Sequence, residues 1–180
     1  MKRICVFCGS RNGVKPVYKD WALSLGSWIG EHKYGLVYGG GSIGLMGILA
    51  DACLSYHKDV IGVIPKHLNE SEIAHQSLGR LIEVENMFDR KEIMMKYSDL
   101  FVVLPGGFGT LDEFFEVLTL AQLKQHTKPV FILNAEGFFD PLLMQMNQLV
   151  VQGFVKEKAL NLMHICKDIP SLFENIKKTI

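Results

Sequence analysis

The segment Pro105-Gly106-Gly107-Phe108-Gly109-Thr110 and the nearby carboxylate of Glu113 combine the residue types of an anion site with a group that stabilises positive charge. The apolar run 99–104 before the segment predicts a buried strand. The residues after it have the spacing of one apolar helix face: Leu111, Phe114, Phe115 and Leu118. A glycine turn that opens a helix exposes backbone N–H groups, which bind phosphate. We therefore expect a phosphate site with Glu113 beside the anion.

Thr110 and Glu113 also have the spacing of a helix capping box. In that interpretation the Glu113 side chain turns back to the Thr110 N–H and has only a structural role. A helix cap does not require two glycines before it, so Gly106 and Gly107 favour a ligand site. The spacing by itself leaves both interpretations open.

The composition predicts one globular domain over residues 1–180. Hydrophobic residues make up 48% of the chain, and nineteen basic residues balance nineteen acidic ones. This balance gives no electrostatic reason to expect a nucleic-acid or membrane partner. The N-terminal apolar run is too short for a signal peptide, and no run reaches the roughly 18 apolar residues of a membrane helix. We therefore expect a cytoplasmic protein.

Cysteine and histidine spacing gives no sign of redox or metal chemistry. Cys5 and Cys8 form a C-x-x-C pattern, but Cys5 lies inside a predicted strand, whereas redox pairs sit where a helix begins. We interpret both as core cysteines in a reducing compartment. The six histidines lack metal-ligand spacing. No metal, cofactor or covalent nucleophile is expected.

Predicted strands and helices alternate along the chain. The strands are expected at 3–8, 36–38, 60–64, 81–84, 99–104, 129–133 and 162–165. One helix is expected to start near Pro16, one to run through Cys53, one to start with Asp89 as its N-cap and one to follow Thr110. Two more are expected over 138–151 and 172–176, and the longest loop is expected over 66–79. This alternation predicts a doubly wound, Rossmann-like α/β fold with a mostly parallel sheet and helices on both faces. Loops at the carboxyl ends of the strands should then share one pocket.

Gly39-x-Gly41-x-x-Gly44 matches the dinucleotide fingerprint G-x-G-x-x-G between a predicted strand and helix. The next strand ends in Ile64-Pro65-Lys66, however, without the carboxylate that holds the ribose of NAD. The loop and Ser42 therefore favour a mononucleotide phosphate over NAD. Arg90 and Lys91 begin another helix, either as solvated surface residues or, beside an anion site, as substrate ligands.

Five segments together resemble the LOG family, the cytokinin riboside 5′-monophosphate phosphoribohydrolases formerly labelled lysine decarboxylases. Residues 105–113 resemble its PGGxGTxxE signature. The other four follow in family order and spacing: Phe7-Cys8-Gly9-Ser10, Tyr38 to Gly47, Glu72-Ile73-Ala74-His75 and Met87-x-x-Arg90-Lys91. The resemblance covers roughly residues 4 to 134. The old label is chemically unsuited, because decarboxylation needs pyridoxal phosphate on a Schiff-base lysine, and nothing in the sequence marks one.

The resemblance implies hydrolysis of the N-glycosidic bond of a nucleoside 5′-monophosphate, with Arg90 and Glu113 as the catalytic pair. It implies substrate binding by Ser10, Gly40, Gly41, Ser42, Glu72, Lys91, Gly106, Gly107, Gly109 and Thr110. We expect the helix dipole to keep Glu113 ionised. Arg90 is expected to hold either that carboxylate or the substrate, and Lys91 to be a flexible ammonium at the rim.

The resemblance also implies a homodimer with the pocket near the subunit contact, for which Ile93, Met94 and Met95 offer apolar surface. Phe88, Asp112 and Arg11 depart from the family pattern, which leaves the preferred base open between a cytokinin, adenine and another base. Two other functions stay open: a non-catalytic nucleotide-binding protein, and a nucleosidase for an ordinary purine or pyrimidine monophosphate.

Overall fold

Parallel strands form the centre of the structure, a computed structural model that describes residues 1–57, 59–69 and 74–180. The strands are β1 (Arg3–Phe7), β2 (Gly35–Tyr38), β3 (Val60–Pro65), β4 (Arg80–Val84), β5 (Leu100–Val103), β6 (Val130–Leu133) and β7 (His164–Cys166). They pair in the order β4-β3-β2-β1-β5-β6-β7, and neighbouring strands run parallel. The prediction of a doubly wound α/β fold is confirmed.

Helices cover both faces of this sheet. They are α1 (Val17–Glu31), α2 (Gly44–Leu54), α3 (Lys66–Asn69), α4 (Met87–Lys96), α5 (Phe108–Gln122), α6 (Asp140–Val151) and α7 (Ile169–Thr179), with short 3₁₀ turns at Ala135–Gly137 and Glu157–Leu162. The hydrophobic core has two parts, one on each face of the sheet, because successive side chains of a strand point to opposite faces. In β1, Ile4 and Val6 pack with α1, α2 and α7, whereas Cys5 and Phe7 pack with α4, α5 and α6.

The helix that carries Arg90 begins earlier than expected. Its N-cap is Asn86, whose side chain accepts hydrogen bonds from the Phe88 and Asp89 amides. The prediction of Asp89 as N-cap is wrong, because an equally good capping residue stands three positions before it. Arg90 therefore lies in the first full turn of α4, near the carboxyl ends of the strands.

The apolar face predicted for α5 is partly wrong. Phe114 is fully buried, but Phe115 is 38% exposed and lies outside the core. Thr110 and Glu113 take the inward positions instead, and both are buried. Polar side chains in the inward face of a helix mark a site, since burying them has a cost that packing alone does not offset.

The strand order brings β1 next to β5 and sends the chain outward in opposite directions from this pair. Such a reversal opens a crevice in which α/β proteins bind ligands. The loops after the two strands touch there, and the Gly9 amide donates to the Pro105 carbonyl oxygen at 3.0 Å. A Cβ on Gly106 would lie 2.9 Å from the Gly9 nitrogen. Glycine at position 106 is thus required by the close approach of two backbones.

Across residues 1–57, 59–69 and 74–180, the structure has no helix whose length and apolar character would let it cross a membrane.

Candidate active site

A cleft of about 280 Å³ lies at the carboxyl ends of the central strands. It is lined by Val6, Cys8, Ser10, Gly39, Gly41, Met46, Ile64, Leu68, Arg90, Gly107, Phe108, Gly109, Thr110 and Glu113. The loops after β1, β2 and β5 and the helices α3, α4 and α5 all contribute to it. The expectation of one pocket shared by several strand ends is confirmed.

One wall of the cleft is the open N-terminus of α5. The helix starts at Phe108, and the Leu111 amide makes the first bond back to the preceding turn, to the Gly107 carbonyl oxygen at 3.1 Å. Within the part of the chain that the structure describes, no protein group accepts from the Gly109 or Thr110 amide. Free amides at the positive end of a helix dipole form an anion site.

Gly107 and Gly109 are not explained by packing within the chain. A Cβ built on either residue would meet no heavy atom within 4 Å. Since both residues line the cleft, a ligand that approaches the backbone closely accounts for glycine at these positions better than the fold does.

The second glycine loop, residues 39–47, differs from the first because amides in the first turn of the helix that follows it already donate hydrogen bonds within the protein. The amides of Leu45 and Met46, in the first turn of α2, donate to the Gly9 carbonyl oxygen at 3.1 and 3.4 Å. Of the predicted phosphate ligands in this loop, Gly41 lines the cleft. Gly40 and Ser42 are not part of its wall, and the Ser42 side chain is exposed.

Glu113 does not form a capping box. The N-cap of α5 is Gly107, so Glu113 lies well inside the helix and its carboxylate faces Arg90. The Arg90 Nη1 to Glu113 Oε1 distance is 3.2 Å, and both side chains are at least nine-tenths buried. The capping-box interpretation is therefore wrong, because a buried cation offers this carboxylate a stronger partner than a backbone N–H.

Arg90 is held by three groups from different parts of the chain. Besides the ion pair, its Nε donates to the Val63 carbonyl oxygen at 3.0 Å, and its Nη2 donates to the Gly39 carbonyl oxygen at 3.1 Å. The Val63 carbonyl belongs to β3, and Gly39 directly follows the end of β2. The guanidinium therefore fixes the carboxylate relative to β2 and β3, which is the first of the two contacts that the sequence left open.

The charge state of Glu113 differs from the expectation. Burial raises the pKa of Glu113 to about 7, although the Arg90 guanidinium lowers it in part. The helix dipole does not keep this carboxyl fully ionised, because removal of water from a buried carboxylate outweighs the nearby positive charge. A carboxyl whose pKa lies near neutral pH can both accept and release a proton during catalysis.

Lys91 is not a flexible ammonium at the rim. Its side chain is 7% exposed, and its Nζ lies 3.1 Å from Asp112 Oδ2 and 3.2 Å from Glu116 Oε2. These ion pairs tie α4 to α5 on the side away from the cleft wall. Consecutive residues of a helix point about 100° apart, so only Arg90 of the pair reaches the cleft.

A second cavity of about 400 Å³ adjoins the cleft and shares Ser10, Gly107 and Phe108 with it. Gly106, expected among the substrate ligands, lines this cavity together with Tyr18 and Phe138. Glu72, also expected there, lies outside the described residues.

Comparison with known proteins identifies the family of this chain. A family model described as "Possible lysine decarboxylase" matches residues 46–176. The cytokinin riboside 5′-monophosphate phosphoribohydrolase LOG1 of Arabidopsis thaliana is 48% identical over 98% of this chain and 82% of its own length. The corresponding rice enzyme, LOG of Oryza sativa subsp. japonica, is 48% identical over 88% of this chain and 65% of its own length. The chain belongs to the LOG family.

Solved structures with lower identity share the fold of this LOG-family chain. A molybdenum cofactor binding protein from Rippkaea orientalis has a TM-score of 0.75 at 22% identity, covering 99% of this chain and 98% of that protein. The molybdenum cofactor carrier protein of Chlamydomonas reinhardtii has a TM-score of 0.72 at 23% identity, covering 98% and 96%. These likenesses support the fold class alone.

Several cleft residues of this LOG-family chain were not among the predicted site residues. Met46, Ile64 and Leu68 supply apolar walls, and apolar side chains carry no spacing that separates a pocket from a core. Gly39 belongs to the glycine run already noted, and its role follows only from the position of Arg90.

The cysteines fit the expectation of core residues. The four cysteines are free and buried. Cys8 lines the cleft, but burial raises the pKa of its thiol well above the ordinary value, which keeps it protonated. The described residues include no group of three or more His, Cys, Asp or Glu side chains placed to hold a metal ion.

Gly39→Ala tests the clamp on Arg90. A Cβ on Gly39 would overlap Arg90 Nη2, and this guanidinium cannot swing away without losing its contacts to Val63 and Glu113. We expect turnover to fall by about 10²-fold, the effect of a misplaced catalytic group, with the fold retained by circular dichroism.

The control is the same change in an Arg90→Met background. Without the guanidinium the new methyl would meet only the Met46 sulfur, at 3.0 Å, on a flexible side chain that can move aside. Gly39→Ala should then cause little further loss. An equal loss in both backgrounds would show that the methyl does not act through Arg90.

Proposed function

We propose that the protein hydrolyses the N-glycosidic bond of a nucleoside 5′-monophosphate and releases the free base and ribose 5-phosphate. A cytokinin riboside 5′-monophosphate is the proposed substrate, because that is the substrate named for relatives such as LOG1. The observation that carries the proposal is the buried Arg90–Glu113 pair beside the open N-terminus of α5. A bound phosphate and a reacting sugar need these two features at neighbouring places.

The phosphate binds the Gly109 and Thr110 amides, which places the ribose beside Glu113. Phosphate contacts remote from the broken bond supply positioning energy for the reaction. The glycosidic bond breaks with its electron pair leaving on the base, and positive charge develops on the ribose ring, as in glycoside hydrolysis. The Glu113 carboxylate stabilises this charge and accepts a proton from the water that attacks the anomeric carbon. The departing base takes up a proton from solvent, and Glu113 releases to solvent the proton that it took from the water, so the net reaction consumes one water.

Arg90 acts through Glu113 in this mechanism. It fixes the carboxylate at one end while Gly39 and Val63 hold the rest of the guanidinium. Three contacts from separate elements leave the carboxylate little freedom, which is what a preorganised group requires.

Glu113→Gln should abolish base release and leave nucleotide binding largely intact, because the amide keeps the shape but cannot accept the proton. Chromatography after incubation with a cytokinin riboside 5′-monophosphate, AMP and other nucleoside monophosphates measures the products. Asp112→Asn is the matched control, since Asp112 is a half-exposed carboxylate on the same helix that pairs with Lys91. We expect it to keep most activity.

The same panel should include the matching nucleosides, which lack the phosphate that the α5 amides bind. Equal cleavage of AMP and adenosine would contradict phosphate anchoring. Binding without cleavage by the wild type would support a non-catalytic nucleotide-binding protein, and preference for AMP over the cytokinin nucleotide would support an ordinary nucleosidase.

The pH dependence follows from the raised pKa of Glu113. The mechanism needs the ionised form, so kcat/KM should rise with pH and level off above an apparent pKa of about 7. Between pH 4.5 and about 7 the folded protein holds a proton that the unfolded chain has released, so this group lowers the free energy of unfolding as pH rises. A rate profile that levels off near pH 4.5 would contradict the assignment.

We also propose that the protein is a homodimer whose contact includes Phe88 and Phe115. Met94 is buried in the core and cannot form the expected contact surface. Phe88 on α4 and Phe115 on α5 are 78% and 38% exposed instead, and both helices carry cleft residues. An apolar groove beside Phe115, lined by Leu118, Met146 and Leu149 among others, gives a second copy a place to pack.

Light scattering should therefore give a dimer for the wild type and a monomer for Phe115→Glu, because a charge is costly at a buried apolar contact. Leu23→Glu is the control. Leu23 is an exposed apolar residue on α1, which packs on the other face of the sheet. A monomeric wild type with full activity would contradict the proposed dimer.

A further inference from the structure

A short segment after the third strand lies against the second glycine loop. Gly41 and Ala74 form an isolated antiparallel bridge, and the His75 amide donates to the Gly40 carbonyl oxygen at 2.9 Å. The segment therefore pairs with Gly40 and Gly41, whereas Arg90 holds the preceding carbonyl, that of Gly39.

The His75 ring is held as firmly as its backbone. Its Nδ1 accepts a hydrogen bond from the Ser77 amide at 3.2 Å, so the ring proton is on Nε2. This Nε2 lies 3.0 Å from Asp51 Oδ1 on α2 and donates to it. The His75 side chain is 7% exposed, whereas Asp51 is 71% exposed. The ring therefore links the segment to the helix that follows the glycine loop.

The glycine loop needs such a hold. Gly40 has a φ of +76°, and a residue without a Cβ adopts positive and negative φ about equally readily. Its neighbour Gly41 lines the cleft, but the bonds that the first turn of α2 makes to Gly9 come from the Leu45 and Met46 amides and do not involve the Gly40–Gly41 peptide. The orientation of the peptide between Gly40 and Gly41 therefore depends on contacts from outside the loop.

We propose that His75, anchored by Asp51, is a positioning residue that fixes this peptide so that Gly41 faces the bound nucleotide. His75 is not part of the cleft wall and acts only through the loop. The inference rests on the proposed function for the identity of the ligand. Because Arg90 keeps its own contact to Gly39, loss of His75 affects ligand binding more than the chemical step.

His75→Ala is the direct test. We expect the KM for the nucleoside 5′-monophosphate to rise about tenfold, the loss expected when one charge-assisted hydrogen bond is removed. The kcat should stay within about threefold, since the Arg90–Glu113 pair is intact. The Kd for ribose 5-phosphate, measured by calorimetry, should rise by the same factor as KM.

His126→Ala is the matched control. The His126 ring makes the same two kinds of contact, with Nε2 to the Val117 carbonyl oxygen and Nδ1 accepting from the Lys128 amide, but these contacts hold the end of α5 instead of the glycine loop. It should change thermal stability without changing KM or the Kd for ribose 5-phosphate. Equal effects of the two variants on KM would overturn the proposal, as would a fall in kcat at constant KM for His75→Ala.

Asp51 provides a second route if His75→Ala fails to fold. Asp51 is exposed, so its replacement leaves the core intact. Asp51→Ala should raise KM about threefold through loss of the acceptor, and Asp51→Asn, which keeps an acceptor oxygen, should recover much of that loss. An unchanged KM and Kd in Asp51→Ala would contradict the anchoring role.

Calorimetry separates this inference from the proposed function. If the wild type binds ribose 5-phosphate but releases no base, the proposed function fails, and the Kd values still test His75. If base is released and the variants bind ribose 5-phosphate as tightly as the wild type, the positioning role alone fails.

Discussion

The buried ion pair between Arg90 and Glu113 is the interaction on which the rest of the site depends. Removing two charges from water is costly, and one left without its partner would destabilise the fold by about 3–5 kcal/mol. The chain offsets part of this cost with the carbonyls of Gly39 and Val63, which accept from the same guanidinium. The pair therefore draws the ends of β2 and β3 toward α5 while it fixes the carboxylate.

The two glycine loops have different roles because their helices differ at the first turn. The first turn of α5 keeps amides free for a ligand, whereas the first turn of α2 donates to the Gly9 carbonyl. The closed helix joins the loops after β1 and β2 into one unit, and Gly44 lies so close to the Ser10 backbone that a Cβ would overlap it. One loop is thus a ligand site, and the other is chiefly a scaffold that presents Gly41.

Local patterns in the sequence were sufficient for the fold class. Alternating apolar strands and periodic helices predicted the parallel sheet, because both periods arise from contacts between near neighbours in the chain. The same reasoning located the cleft residues Ser10, Gly41, Gly107, Gly109 and Thr110 at strand ends. It was wrong for Asp89 as a cap, because Asn86 caps equally well three positions earlier. It was also wrong for Phe115 as a core residue, because Thr110 and Glu113 take the inward positions of α5.

What the sequence by itself determined is the parallel α/β architecture, the family, and the presence of Arg90 and Glu113 in helices that each follow the end of a strand. The tertiary structure decided which partner each charge takes. Arg90 reaches Gly39 and Val63 across 51 and 27 positions of the chain, and Lys91 turns to Asp112 and Glu116 instead of the cleft. It also raised the pKa of Glu113, because that value depends on how much water the folded chain excludes. Spacing encodes contacts within a turn or a strand, whereas burial and long-range pairing exist only once the separate elements have packed.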